Sequence, residues 1–488
     1  MSKFDLVILG GNVVLQGAEP TKCDIGVKNG KIAAIADQLD PKDAEDVIDA
    51  KGLVVFPGSV DCHAHLGIYR PIEEDARSET ASSLVGGVTT LLSYFRTGAH
   101  YLNKTGPYKE IIPEVLEYTS GNSYVDYGYH IAPMTRDQID EIDWMVKEVG
   151  ISTFKYFMFY KGLNLSASSA DGKSLTMSDA YDLGHLYAIM EEVRRADLNY
   201  GDKGRICVSV HCEDDELIRE FIRKAKEKGF EGLRAYYEAR PPLTERVSIH
   251  KASALASSTK TRLNLLHLTS ADALKAALEV QKLYPELDVK IEVTLHHLGL
   301  TYSMLDGKGL GGKVNPPLRT KEDVEALWNG ILKGKVDWVG SDHACTMSEL
   351  KGDELWSAAC GFGGTGLMYP FMISEGYHKR GLSLSRIAEL VSTNPSRAHA
   401  CYPRKGCIAI GADADLTLVN LDLEKEVTAE ILHSAQDYTP FEGIVLKGWP
   451  VRTILRGKTV YLNGEIIGKP QGEFIKRPVL MHSKEYDK

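Results

Sequence analysis

Eight short apolar runs, separated by longer stretches of helical periodicity, constrain the fold of this chain more than any other feature of its sequence. The runs span residues 53–61, 88–94, 125–132, 151–158, 205–211, 262–267, 288–294 and 336–342. Apolar runs of this length that alternate with amphipathic segments, such as 179–197 and 214–228, are typical of parallel strands connected by helices. Eight such units predict an α/β fold, a (β/α)8 barrel of the TIM type.

The two ends of the chain differ from this pattern. Residues 5–15 and 24–36 have the character of short strands, and the turn signal Asn29-Gly30 divides the second segment into a hairpin. Residues 407–419 and 450–467 are β-rich in the same way, which favours one sheet built from both ends. Residues 159–176, polar and rich in Ser and Gly, are predicted to form a loop that covers a site.

Composition and charge narrow the classes of function. The 488 residues, 43% hydrophobic and 25% charged, are typical of a globular protein. A formal charge of -10 without a long basic run argues against nucleic acid as a partner, and the absence of a long apolar stretch argues against a membrane. The eight cysteines form no CxxC pair, which favours a reducing compartment over a disulfide framework. We therefore expect a cytoplasmic protein with a small-molecule ligand.

Six potential metal ligands lie at or near the carboxyl ends of the predicted strands. They are His63, His65, Lys155, His211, His267 and Asp342. In a parallel barrel these strand ends open on one face, where barrel enzymes place their active sites. Each residue alone has an ordinary explanation, such as a hydrogen-bonded core histidine or a helix-capping acid. Their joint occurrence at successive strand ends favours a metal centre.

Lys155 lies in the middle of the apolar run 154–158, where a buried ammonium group is costly. One interpretation is an ion pair with a buried acid. The other is that the amine, its pKa lowered near two cations, reacts with carbon dioxide to give a carbamate. A carbamate is an anionic ligand with two oxygens that can bridge two metal ions.

Short motifs extend along the whole chain up to about residue 475. They are PGSVDCHAH at 57–65, GISTFKYFMFYKG at 150–162, VHCE at 210–213, RPP at 240–242, HLTS at 267–270, PPLR at 316–319, GSDH at 340–343, VSTNP at 391–395, YPRKG at 402–406 and GADAD at 411–415. With these motifs the chain resembles the cyclic amidohydrolases, the hydantoinases, dihydropyrimidinases and allantoinases. The resemblance implies a barrel over 53–405, a small β-sandwich built from 1–52 and 406–475, and a tail over 476–488.

The resemblance also implies a dizinc hydrolase. His63 and His65 would hold the buried Zn2+, His211 and His267 the more exposed one, and Lys155, as N6-carboxylysine, would bridge the two ions. Asp342 would complete the first ion's shell and act as base and then acid, while a metal-bound hydroxide attacks a ring amide and Tyr160 binds the carbonyl oxygen. The residues implied in substrate binding are Tyr160, Thr294, Asn315, Gly361 and Gly363.

The choice of ring stays open at this stage. Residues 359–367, ACGFGGTGL, replace the Ile-Pro-Asn-Gly stretch of hydantoinases and are closer to allantoinases, whereas Tyr160 and residues 404–406 are hydantoinase-like. The leading expectation is an enzyme for hydantoin or dihydropyrimidine rings, and the alternative is an allantoinase or another cyclic imidase. A non-catalytic scaffold is disfavoured because all six ligand residues are kept. The family implies a homotetramer or homodimer.

Ile68, Tyr69, Phe95 and Phe159 lie in loops that shape the exocyclic pocket of hydantoinases. They favour a bulky or apolar substituent, or they only pack these loops together.

Overall fold

The computed structural model of the chain describes residues 2–98, 100–161, 180–202 and 204–478. The strands are β1 Phe4–Val13, β2 Thr21–Lys28, β3 Lys31–Ala36, β4 Ala44–Asp49, β5 Val54–Pro57, β6 Ser59–Ala64, β7 Val88–Arg96, β8 Asp126–Ala132, β9 Thr153–Phe157, β10 Cys207–His211, β11 Leu263–Leu265, β12 Val289–Thr294, β13 Trp338–Gly340, β14 Leu416–Glu426, β15 Val445–Leu455, β16 Lys458–Leu462 and β17 Glu465–Ile466.

The helices alternate with the strands over the middle of the chain. They are α1 Ile72–Val85, α2 Tyr108–Thr119, α3 Arg136–Asp140, α4 Ile142–Trp144, α5 Leu183–Tyr200, α6 Asp215–Glu227, α7 Gly232–Ala239, α8 Pro242–Thr259, α9 Ala271–Leu283, α10 Leu295–Gly299, α11 Tyr302–Leu305, α12 Lys321–Leu332, α13 Ser348–Lys351, α14 Met368–Phe371, α15 Leu384–Ala388 and α16 Asn394–Ala398. Short 3-10 turns cover Pro41–Asp43, Met158–Tyr160, Thr365–Leu367 and Glu430–Leu432, and π-helical turns cover Met145–Val149, Met372–His378 and Glu389–Thr393. Within the described ranges, no helix has both the length and the apolar character needed to cross a membrane.

Eight parallel strands, β6 to β13, form a barrel in the order of the chain. Each overlaps one of the predicted apolar runs, so the predicted (β/α)8 fold is confirmed. The first and last strands meet through a parallel bridge between Ala64 and His343, and the His65 N–H donates to the His343 carbonyl at 2.7 Å. Barrel strands are buried on both faces, as in β7, because helices cover the outside of a parallel sheet.

The other nine strands form one mixed sheet that contains both ends of the chain, as the sequence predicts. Its path is β17-β16-β15-β14-β5-β1-β2-β3, and β4 pairs with β1. Strand β5 joins the two ends, because Val54 pairs with Asn12 of β1 and Val55 pairs with Leu418 of β14. The sheet has its own cluster of buried apolar side chains beside the larger barrel core.

The predicted run 53–61 is divided between these two sheets. The break falls at Gly58, where a Cβ atom would lie 2.1 Å from Oγ1 of Thr89. Strand β5 therefore places residues 54–57 in the end sheet, and the domain limits given above stay predictions. The predicted tail 476–488 lies outside the described residues from 479 onward, and so does the predicted loop 159–176 from 162 onward.

A buried ion cluster joins the barrel to the end sheet and explains the motifs at 402–406 and 411–415. The Lys405 ammonium lies 2.9 Å from Asp413 and 2.7 Å from Asp415, and it also pairs with Asp126 at the start of β8. Burial opposes the charged form, but the three carboxylates raise the pKa of Lys405. Arg456 gives Asp126 a second cationic partner. Loss of the Lys405 cation would leave the three buried carboxylates of this junction without the charge that they share.

We expect Lys405→Met to lower the free energy of unfolding by about 3–5 kcal/mol, because it leaves three buried carboxylates without their shared cation. Urea unfolding followed by circular dichroism measures this change. Lys458→Met, at an exposed position of the end sheet, is the matched control and should leave the transition unchanged. Equal midpoints for Lys405→Met and wild type would contradict this role.

Candidate active site

The six predicted ligand residues converge at one end of the barrel. His63 lies in β6 and His65 directly after it, Lys155 in β9, His211 at the end of β10, His267 two residues after β11, and Asp342 two residues after β13. The ring centroid of His63 lies 5.5 Å from that of His65 and 5.4 Å from that of His267, which lies 4.3 Å from that of His211. The topology brings these residues together because parallel strands end on the same face of a barrel.

Asp342 forms the tightest part of this cluster with the two histidines of β6. Its Oδ1 atom lies 3.0 Å from Nε2 of His63 and 3.3 Å from Nε2 of His65. Burial opposes ionisation, yet the two histidines hold the pKa of Asp342 well below its usual range. Asp342 and His267 have φ angles of 50° and 37°, a left-handed conformation that is unfavourable for these residues. The backbone is thus strained where it aims two of the donors.

Lys155 is fully buried, and within the described residues its Nζ atom has no hydrogen-bond partner. The nitrogen lies 4.4 Å from the ring centroid of Tyr94 and 4.6 Å from that of Phe157. Burial lowers the pKa of Lys155 to about 7, so the neutral amine is accessible near neutral pH. The buried ion pair considered as the ordinary interpretation does not occur among the described residues. An amine in this setting fits conversion to an anionic metal ligand.

The histidines on the other side of the cluster are in the form that binds metal. Burial and the nearby Lys155 lower the pKa of His211 well below its usual value. Burial, His211 and Lys155 do the same to the pKa of His267. Neutral imidazoles have a lone pair for a metal ion, as metal coordination requires.

Glu292 of β12 orients His63 from outside the cluster. Its Oε1 atom lies 2.6 Å from Nδ1 of His63 and accepts from the His267 N–H at 3.0 Å, and its Oε2 accepts from Nε1 of Trp338 at 2.8 Å. Burial opposes it, but Glu292 and Asp342 together raise the pKa of His63 to about 9. A carboxylate on Nδ1 leaves Nε2 directed at the cluster, which is the arrangement that metal-binding histidines use.

A second carboxylate, Glu213, does the same for His211. Its Oε2 atom lies 2.7 Å from Nε2 of His211, and its Oε1 accepts from Nε of Arg240 at 3.0 Å. Arg240 also donates to Oδ1 of Asn315 at 2.6 Å, and Tyr236 donates to the same oxygen. The predicted substrate residue Asn315 is therefore connected to His211 through two buried charged groups.

Three other predicted substrate residues, Thr294, Gly361 and Gly363, have polar groups that are bonded within the protein. Thr294 ends β12, and its Oγ1 lies 2.7 Å from Nδ1 of His297. The Gly361 N–H donates to the Lys313 carbonyl at 2.9 Å, and the Gly363 N–H donates to Oε1 of Gln436 at 2.9 Å. In this structure the amides of both glycines hold their own segment in place.

Tyr160 lies in the short turn that follows β9, and the ring of Phe159 lies between it and His211. Its ring stacks on Phe157 with centroids 4.5 Å apart, and the ring of Phe159, not that of Tyr160, contacts His211 at 4.4 Å. The guanidinium of the buried Arg96 lies 5.4 Å from the Tyr160 ring centroid and 5.5 Å from that of Tyr101. Tyr160 is thus held between aromatic and cationic neighbours at the edge of the site.

A cleft of about 690 Å³ opens beside the site between the loops 67–73 and 100–104. Ile68, Tyr69 and Tyr101 line it, and the Tyr101 hydroxyl lies 3.0 Å from Nδ1 of His65. Of the predicted pocket residues, Phe95 is only 1% exposed and packs against Tyr101, so it belongs to the core. Tyr101 therefore connects the lining of this cleft to the metal-ligand cluster.

Three residues that contact the predicted ligands were not identified from the sequence. Glu213 and Glu292 could have been noticed in the sequence, because Glu292 lies within an apolar strand, Glu213 lies two residues after one, and each is two residues from a predicted site residue. Tyr101 had none, because it lies in an irregular loop whose course depends on tertiary contacts.

Comparisons with known proteins show which sequences and structures this chain resembles. Residues 205–460 match the family model described as Amidohydrolase family. D-hydantoinase of Geobacillus stearothermophilus is 31% identical over 486 residues, 96% of each chain. Allantoinase of Rubrobacter xylanophilus is 33% identical over 479 residues, 98% of each chain. The solved structure of L-hydantoinase (dihydropyrimidinase) from Arthrobacter aurescens has a TM-score of 0.86 at 28% identity and covers 97% of this chain and 100% of its own.

We expect Glu292→Gln to weaken binding of a divalent metal about 10- to 100-fold. The two carboxylate oxygens of Glu292 contact His63, His267 and Trp338, whereas a glutamine side chain has one acceptor oxygen for these three groups. Zinc competition against a chromogenic chelator measures the affinity. Glu286→Gln, exposed in the loop before the same strand, is the control. An unchanged affinity in Glu292→Gln would show that this carboxylate does not orient His63 for a metal ion.

Proposed function

This chain belongs to the amidohydrolase family, and we propose that it hydrolyses the ring amide of a hydantoin or dihydropyrimidine with two zinc ions. The observation that carries the proposal is the convergence of four histidines and Asp342 around the buried Lys155, whose Nζ atom has no hydrogen-bond or ion-pair partner in the described residues. D-hydantoinase and allantoinase, the relatives described above, support a cyclic amide as the substrate class.

The donor set fits a zinc pair. Imidazole and carboxylate groups are ligands that zinc accepts, and Nε2 of His63, Nε2 of His65 and Oδ1 of Asp342 already face one another. His211 and His267 would hold the second ion, and carboxylated Lys155 would bridge the two. When bound, the ions would supply Lewis-acid polarisation of the amide carbonyl and ionisation of the attacking water near neutral pH.

The side chains of the site would transfer the proton, bind the carbonyl oxygen and hold the ring. Asp342 accepts the proton of the attacking water and delivers it to the leaving ring nitrogen, as a base and then an acid. Tyr160 donates a hydrogen bond to the carbonyl oxygen as negative charge develops on it. Backbone groups near Thr294, Gly361 and Gly363 hold the imide edge of the ring. Glu213 and Glu292 keep the histidines oriented throughout.

A panel of ring substrates tests the activity. Zinc-reconstituted protein is assayed with 5-substituted hydantoins, dihydrouracil, allantoin and succinimide, and we expect turnover of a hydantoin or dihydrouracil. Exclusive turnover of allantoin would establish the alternative, which the glycine-rich residues 361–364 favour. Hydrolysis of none of these rings by the zinc-loaded protein would reject the proposal and revive the scaffold alternative.

We further propose a homodimer or homotetramer in the cytoplasm. The eight cysteines are all free thiols, and Cys62 and Cys212 are sequence neighbours of ligand residues, which supports a reducing compartment. The oligomer follows from the resemblance, and analytical ultracentrifugation tests it.

Asp342→Asn is expected to lower kcat by about 10²- to 10⁴-fold, because an amide can still contact a metal ion but cannot carry the proton. Steady-state kinetics and metal analysis of the same preparation measure both effects. Asp306→Asn, at an exposed position, is the control. Undiminished turnover in Asp342→Asn would defeat the assignment of this residue as base and acid.

Lys155→Ala is expected to abolish binding of the zinc pair, because the bridging anion cannot form. Growth with ¹³C-bicarbonate followed by ¹³C NMR should show a carbamate signal in wild type and none in the variant. The exposed Lys282→Ala should retain the signal. A wild-type protein that holds two zinc ions without this signal would exclude carboxylation of Lys155.

A further inference from the structure

The segment 358–361, which follows the catalytic-aspartate region, has no regular secondary structure and is held by side chains. The Tyr69 hydroxyl donates to the Cys360 carbonyl at 2.8 Å and accepts from the Cys360 N–H at 3.2 Å. Gly361 has a φ of 101°, and a Cβ atom there would lie 2.9 Å from the Cβ of Ala344. The position of the Gly361 backbone is therefore closely restricted.

Lys351, the last residue of α13, is the central support of this segment. Its side chain is buried, and its Nζ atom donates to the carbonyls of Lys313 at 3.0 Å, Ala359 at 3.0 Å and Gly361 at 2.6 Å. An ammonium group has three donors, so all three are used. Two of the acceptors flank Cys360, and the third receives the Gly361 N–H as well.

Burial makes the charged form of Lys351 costly. Burial lowers the pKa of Lys351 to about 7, and the cation of Lys313 acts in the same direction. The Cys360 thiol opposes them, and the three carbonyl oxygens also favour the charged form because each accepts a hydrogen bond from it. Lys313 itself donates to the Ala358 carbonyl. In their charged forms, Lys351 and Lys313 thus donate to four backbone carbonyls, which are those of Lys313, Ala358, Ala359 and Gly361.

We propose that Lys351 is a positioning residue, which fixes the backbone at residues 359–361 so that it can hold the edge of the ring substrate. This inference rests on the proposed function, in which Gly361 contacts the ring. Lys351 touches no reacting atom, so its contribution is to substrate binding and not to the chemical step. No acidic side chain forms an ion pair with it among the described residues, so its hydrogen bonds go to backbone carbonyls, two in this segment and one at Lys313, which itself accepts from the Gly361 N–H.

Lys351→Met keeps the length of the side chain and removes the donors. We expect KM for the ring substrate to rise about tenfold or more, with kcat and zinc content close to those of wild type, because uniform binding is lost. Lys351→Arg, which keeps a cation, should give an intermediate KM. Gly361→Ala disturbs the same segment from its other side and should raise KM as well. Lys333→Met, at an exposed position, is the control.

Hydrogen exchange gives a readout that does not depend on turnover. The amides of residues 359–361 should exchange faster in Lys351→Met than in wild type or Lys333→Met. Wild-type KM and wild-type exchange in a folded Lys351→Met protein would overturn the proposal. If that variant does not fold, wild-type KM in both Lys351→Arg and Gly361→Ala overturns it. A wild-type enzyme that hydrolyses no ring would instead reject the proposed function, and unchanged exchange would still reject the role of Lys351.

Discussion

The closure of the barrel is the contact on which the candidate site depends. The parallel bridge between Ala64 and His343 joins the first strand to the segment after the last one, and the Ser341 hydroxyl donates to the His63 carbonyl at 3.1 Å across the same seam. This seam places His63 and His65 against Asp342, although they lie at opposite ends of the barrel sequence. A barrel that opened here would separate the tightest part of the ligand cluster while leaving every strand intact.

Three buried lysines, Lys405, Lys351 and Lys155, differ in the groups that surround their ammonium nitrogen. Lys405 is surrounded by three carboxylates and has a raised pKa. Lys351 is surrounded by three carbonyl oxygens. Among the described residues Lys155 has no hydrogen-bond or ion-pair partner; its nitrogen lies over the rings of Tyr94 and Phe157, and burial lowers its pKa to about 7. The first two are structural solutions to the cost of burial. The third has no such partner and can instead lose its proton, and a neutral amine is the form that could react to give the anionic ligand proposed above.

The sequence predicts those parts of the structure in which local pattern and topology coincide. Apolar runs locate the eight strands, and a residue such as His211 or His267 at a strand end is positioned by the barrel itself. The pairing of β1 and β14 through β5 agrees with the similar texture of the two ends. The roles of Tyr101 and Lys351 could not be predicted from the sequence, because loops, and not a periodic element, bring their partners to them. Tyr160 is intermediate, since the turn after β9 fixes its place but not the direction of its hydroxyl.

Chemistry and ring choice accordingly depend on different parts of the chain. The donors lie on or next to strands, whose positions the barrel determines. Of the groups proposed to meet the substrate, Thr294 ends a strand, whereas Tyr160, Gly361 and Gly363 lie in a turn and a loop, and the cleft beside the site is lined by the loops 67–73 and 100–104. Tyr69 links two of these loops, because its ring lines the cleft while its hydroxyl holds both the carbonyl and the N–H of Cys360. A displacement of the Tyr69 ring would therefore break two hydrogen bonds to the backbone next to Gly361 unless that backbone moved with it. The cleft and the segment proposed to hold the ring edge are therefore joined through a single side chain.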